Sequence, residues 1–121
     1  MSEKKIFNKL VRDRIPEIIE SNGEIPEIEI LDDTEYARML QEKLFEESNE
    51  LLNANDVNIK VEELADVLEV VHAIADVLEV TMEEIESVRL SKQEKRGAFK
   101  NKILLKSTIS KDDREEEENV K

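Results

Sequence analysis

Cysteine and tryptophan are both absent from this chain of 121 residues, and aromatic residues make up only 3% of it. Without thiols there can be no disulfide and no thiolate metal site, so any metal must be held by oxygen or by the single histidine, His72. Oxygen donors select a hard cation such as magnesium, manganese or calcium. Sparse aromatics beside abundant Leu, Ile, Val and Ala suit helices packed through aliphatic stripes better than a sandwich or barrel. Basic residues are also in short supply: 18 Lys and Arg against 31 Asp and Glu give a net charge of −13. Such a surface repels a nucleic-acid backbone or an anionic membrane at long range, which excludes both as main partners. There is no uncharged run long enough to span a bilayer, and Met1–Phe7 lacks the apolar core of a signal peptide, so a cytoplasmic protein is expected. The length allows one domain with one core.

The apolar pattern reads as all-α. The segment Phe7–Asn22 is interrupted at Pro16, so a short turn or helix is expected first and then a second short helix ended by Asn22-Gly23, a left-handed cap pair. Asp32 and Asp33 offer N-caps to a long helical pattern from about Thr34 to Asn53, and a second runs from about Lys60 to Glu79. Thr81-Met82-Glu83-Glu84 is a capping box opening a further helix that Gly97 can close. The alternation in 25–31 suits an extended stretch or a short edge strand, and 103–109 suits a strand or an extended arm. Residues 1–110 then form a helical bundle, and 111–121, a charge run with little to bury, is expected to be a disordered tail.

The chemistry concentrates on the two long helices. In the first, Ala37, Leu40, Leu44 and Leu51 trace a core stripe whose missing member is Glu47, with Glu50 one turn on. In the second, Val67, Val70, Ile74 and Val77 form a stripe that continues backwards through Asp66 to Glu63. Antiparallel packing across the short 53–58 connection gathers all four acids at one end of the bundle. Carboxylates so placed raise each other's pKa values unless a cation neutralises them, and magnesium, which keeps positions for water and phosphate oxygens, suits the place. The repeat of Ala65–Val70 as Ala75–Val80 does not duplicate the site, because ten helical residues rotate the copy by about 80° and lift it by about 15 Å. In a chain that is 40% charged, the competing reading is that these acids lie on solvated faces.

Glu46-Glu47-x-x-Glu50, twelve residues, then Glu63-x-x-Asp66 resembles the signature of the all-α nucleoside triphosphate pyrophosphohydrolases. This superfamily includes MazG-like proteins, dimeric dUTPases and phosphoribosyl-ATP pyrophosphohydrolases. The segments Lys9–Pro16 and Lys95–Lys100 resemble flanking blocks of the phosphoribosyl-ATP pyrophosphohydrolase-like subgroup, with Ala98 standing where a second Gly is expected. The resemblance implies a MazG-like topology and magnesium-dependent hydrolysis between the α and β phosphates of a nucleoside triphosphate, giving a monophosphate and pyrophosphate, in a house-cleaning role. It implies Glu47, Glu50, Glu63 and Asp66 as ligands for magnesium or manganese, with Glu46 binding a second metal or orienting the attacking water together with Glu47.

Two basic clusters, Lys9, Arg12 and Arg14, and Arg96 with Lys100, are candidates for holding the phosphates; otherwise they pair with surface acids. His72 reads as a partly buried structural histidine, and Phe7, Tyr36, Phe45 and Phe99 as core or interface residues. A second apolar stripe of Val61, Leu64, Leu68, Val71, Ala75 and Leu78 exceeds what one neighbour can cover, which, with the resemblance, points to a homodimer or homotetramer. The alternative from another class is a non-catalytic acidic helical bundle acting as a protein-interaction module. A calcium protein of the EF-hand type is disfavoured, because the acids lie on helices rather than in a glycine-containing loop.

Overall fold

The computed structural model describes residues 3–112, and its regular structure is entirely helical: α1 Ile15–Ser21, α2 Asp33–Asn53, α3 Val57–Val77 and α4 Met82–Arg96. The tail expectation falls, apart from its first two residues, outside the described residues. The chain divides within α4 into two units, Met1–Glu86 and Ser87–Lys121.

Local chemistry explains most of the boundaries. Pro16 sits in the first turn of α1, where its missing N–H costs nothing, and Gly23 follows the helix at φ 88. Asp32 caps α2 by accepting from the Glu35 amide at 2.8 Å. Asp56 does the same for α3 through Asn58 at 3.0 Å, which starts that helix three residues earlier than the apolar period indicates. The capping box forms in both directions: the Glu84 amide donates to Thr81 Oγ1 at 3.0 Å, and the Thr81 amide donates to a Glu84 carboxylate oxygen at 3.1 Å. Gly97 ends α4 at φ 84.

Two expectations are corrected and one is narrowed. Neither 25–31 nor 103–109 pairs as a strand among the described residues, which leaves the extended alternative for each; alternation gives a segment two faces but supplies no partner ladder. α3 stops at Val77, because the chain turns there with Glu79 at φ 59 and the Val80 amide donating to the Ala75 carbonyl at 3.0 Å. His72 is exposed on α3 rather than partly buried. Of the aromatic residues only Tyr36 is half-buried; Phe7, Phe45 and Phe99 are exposed.

In the first unit α2 packs against α3, the three-residue connection turning the chain back on itself. Leu40 is buried on α2, and Val70 and Ala75 on α3; Ala37, Leu44, Leu51, Val67 and Ile74 are half-buried beside them. The stripe interrupted by Glu47 is therefore the face that α2 turns inward. The second unit holds the rest of α4, Gly97, a turn at Phe99–Lys102 and the exposed Ile103, Leu104 and Leu105.

Candidate metal centre

Helical spacing places Glu47 and Glu50 one turn apart on α2, and the hairpin brings Glu63 of α3 opposite them. One carboxylate oxygen from each of the three lies within 4.8 Å of the others. Oxygens sharing one magnesium at about 2.1 Å are about 3 to 4 Å apart, so a small closure would complete the set. Glu47 is the buried charge of the described residues, 6% exposed, and its Oε2 has no hydrogen-bond partner; Glu63 Oε2 is also buried and unpartnered. An unsatisfied carboxylate oxygen at a helix interface is costly unless something arrives to bind it. The donor set therefore fits a hard divalent cation.

Electrostatics point the same way. Desolvation first, then a hydrogen bond with Glu50 and the charges of Glu50, Asp66 and Glu47, push the Glu63 carboxyl up to about 7. Lys43 reaches into the group from α2, its Nζ 3.2 Å from Glu47 Oε1 and 3.2 Å from Glu46 Oε1. Burial pulls the Lys43 ammonium down, but its hydrogen bonds to Glu47 and Glu46 outweigh that and hold it above the ordinary lysine range. Lys43 is not among the candidates drawn from the sequence. Its signal was its spacing, three residues before Glu46 and four before Glu47.

The remaining candidates divide by position. Asp66 stands outside the group of three and is held by Arg12, Nη2 to Oδ1 at 2.7 Å. Lys9 lies 3.6 Å from Glu46 and 5.9 Å from the centre of the Phe7 ring. Arg14 turns away to Glu17 on its own helix, at 3.3 Å. Arg96 and Lys100 are exposed in the second unit. With Glu63 ionised, the five carboxylates Glu46, Glu47, Glu50, Glu63 and Asp66 stand against three cations, Lys9, Arg12 and Lys43, and two negative charges remain, what one divalent ion carries. Beside Glu46, Glu50 and Glu63 opens a recess of about 400 Å³ whose other walls are uncharged: Asn49, Asn53, Ala54 and Ile59. None of these four carried a signal in the sequence, because recess walls share no periodicity. Asp76, the counterpart of Asp66 in the repeat, is exposed farther along α3.

No family model and no solved structure matches the chain. A protein of Mycolicibacterium smegmatis (strain ATCC 700084 / mc(2)155), described only as an uncharacterized protein, is 51% identical over 47 residues, which are 39% of this chain and 48% of that protein. The chain spans about half the length of that curated relative. The likeness brings no activity with it.

Proposed function

We propose that the chain is a magnesium-dependent nucleoside triphosphate pyrophosphohydrolase of MazG-like type. The observation that carries this reading is Glu47: a carboxylate buried in the apolar stripe of α2, one oxygen unpartnered, with Glu50 and Glu63 within 4.8 Å. The resemblance of the carboxylate signature and its flanking blocks supplies the reaction class. Magnesium, when bound, would neutralise charge on the phosphates and on the leaving pyrophosphate. The chain's own residues do the rest. Glu47, Glu50 and Glu63 would hold the cation, and Asp66 would join them on release from Arg12. Glu46, on the wall of the recess, would orient a water towards the α phosphorus. Lys9 and Arg12 supply positive charge to the phosphate oxygens. The uncharged wall of Asn49, Asn53, Ala54 and Ile59 suits the nucleoside rather than the phosphates.

Self-association belongs to the same proposal. Val61, Leu64 and Leu68 are exposed along α3, and a second copy covering them would complete the core in a homodimer or homotetramer. That face also favours a second reading, a non-catalytic acidic bundle that binds another protein. No described helix is long and apolar enough to cross a membrane.

Pyrophosphate release from a panel of standard and modified nucleoside triphosphates, with magnesium and then with excess chelator, tests the proposal. Metal-dependent release with a monophosphate product is expected. Glu50→Gln and Asp66→Asn should each abolish it while helicity by circular dichroism is unchanged. A folded, magnesium-loaded chain that releases nothing across the panel would move the weight to the interaction module.

A further inference from the structure

The contact between Arg12 and Asp66 joins two groups that the proposed reaction needs elsewhere, one on the phosphates and the other on the cation. Arg12 lies on the segment before α1, and its carbonyl accepts from the Ile15 amide at 3.0 Å, which fixes the root of the side chain at the turn. From there the guanidinium reaches α3 and touches Asp66, one turn beyond Glu63, through Nη2 alone. Both side chains are more than a third exposed, so the pair is in contact with water and gives way at low cost. Three residues earlier, Lys9 reaches Glu46 on α2. The segment 9–12 therefore touches both helices, Lys9 at Glu46 next to Glu47 on α2 and Arg12 at Asp66 one turn from Glu63 on α3. Its charges stand where the substrate's phosphates would have to come to share a cation with Glu47, Glu50 and Glu63.

We propose that Arg12 is an exchanging positioning residue: it holds Asp66 while the site is empty, gives Asp66 up to the arriving cation, and transfers its donors to the substrate's phosphate oxygens. This rests on the reading of the site as a cation-dependent phosphate site. An arginine has five N–H donors in a planar fork that matches phosphate geometry, so one bond to a carboxylate is exchanged for a bidentate pair. The exchange also makes the two binding events cooperative. The cation displaces Arg12, and the displaced Arg12 is then free to hold the phosphates.

The signature is two effects of opposite sign from one substitution. In Arg12→Ala, magnesium alone should bind about three-fold more tightly, because it no longer competes with a water-exposed ion pair for Asp66. Inorganic triphosphate should bind the magnesium-loaded variant at least about ten-fold more weakly, the cost of losing charge-assisted hydrogen bonds. Arg12→Lys, which keeps the charge without the fork, should restore magnesium affinity to near the wild-type value and triphosphate affinity only in part. Titration calorimetry of the full chain with magnesium, and then with triphosphate at saturating magnesium, reads all three. If magnesium does not bind the wild-type chain, the metal reading falls and takes the exchange with it. If magnesium binds the wild type but Arg12→Ala binds it equally or less well, the exchange alone is overturned. Should Arg12→Ala fail to fold, the Nε–H resonance of Arg12 in the intact protein, identified by its loss in Arg12→Lys, decides the matter. It should shift when triphosphate is added to the magnesium-loaded chain, and an unmoved signal overturns the proposal.

Discussion

Glu63 is surrounded by reasons to keep its proton: burial, a hydrogen bond with Glu50, and the charges of Glu50, Asp66 and Glu47. In the unfolded chain it titrates near its ordinary value of 4.5, and in the folded chain near 7. Between these values the folded state retains a proton that the unfolded state has lost, so the stability this group contributes is complete below about pH 4.5 and is lost as pH rises through about 7. Glu63→Gln cannot ionise. In chelator, its melting temperature should match the wild type near pH 4.5 and rise progressively above it towards about pH 8. With saturating magnesium the order should invert at about pH 8, because only the wild type supplies the ligand. Melting curves that run parallel across this range in chelator would show that Glu63 ionises freely. That the Glu47 and Glu63 carboxylates come together was readable in the sequence, since each interrupts or extends an apolar stripe. The engagement of Asp66 by Arg12 was not, because a contact across 54 positions has no local pattern to announce it.

The helices follow their side-chain caps wherever a side chain does the capping. Asp32 and the Thr81–Glu84 box are legible because each acts within three residues of its own position, whereas Asp56 caps α3 three residues before the apolar period begins and is not read as a cap from the sequence. The end of α3 is different. Glu79 takes a left-handed backbone at φ 59, a place that glycine or asparagine would normally mark, and the apolar period runs on past it without interruption. A helix predicted to Glu79 therefore ends at Val77. The same geometry gives a quantitative expectation. Removing the Cβ in Glu79→Gly relieves the left-handed strain but makes the unfolded chain more flexible, and the net gain should be about 0.5 to 1 kcal/mol. Urea denaturation measures it as a higher midpoint with an unchanged slope. A lower midpoint would mean that this turn is not left-handed in solution.

Three buried apolar side chains, Leu40, Val70 and Ala75, are few for a hairpin of two 21-residue helices. Burial of aliphatic side chains is what holds helices together, so the hairpin is under-supplied on its own. Meanwhile Leu64 and Leu68 are each 53% exposed on one face of α3, in line with Val61 and Val57. A second copy is the proposed cover, and the net charge of −13 supplies the means of testing how it would be held. Two such copies repel, so association through this face must be hydrophobic and should strengthen as salt screens the repulsion. Sedimentation velocity over a range of concentrations should find two or four copies of the wild type, shifting further towards the assembly at high salt. Leu64→Glu with Leu68→Glu should sediment as one copy and lose helicity, since an uncovered α3 has lost part of its core. Association that weakens with salt would mean that ion pairs hold the copies and that the α3 stripe is not the interface. A wild type that stays a single copy and still unfolds cooperatively would leave the stripe to a different protein, and with it the interaction-module reading.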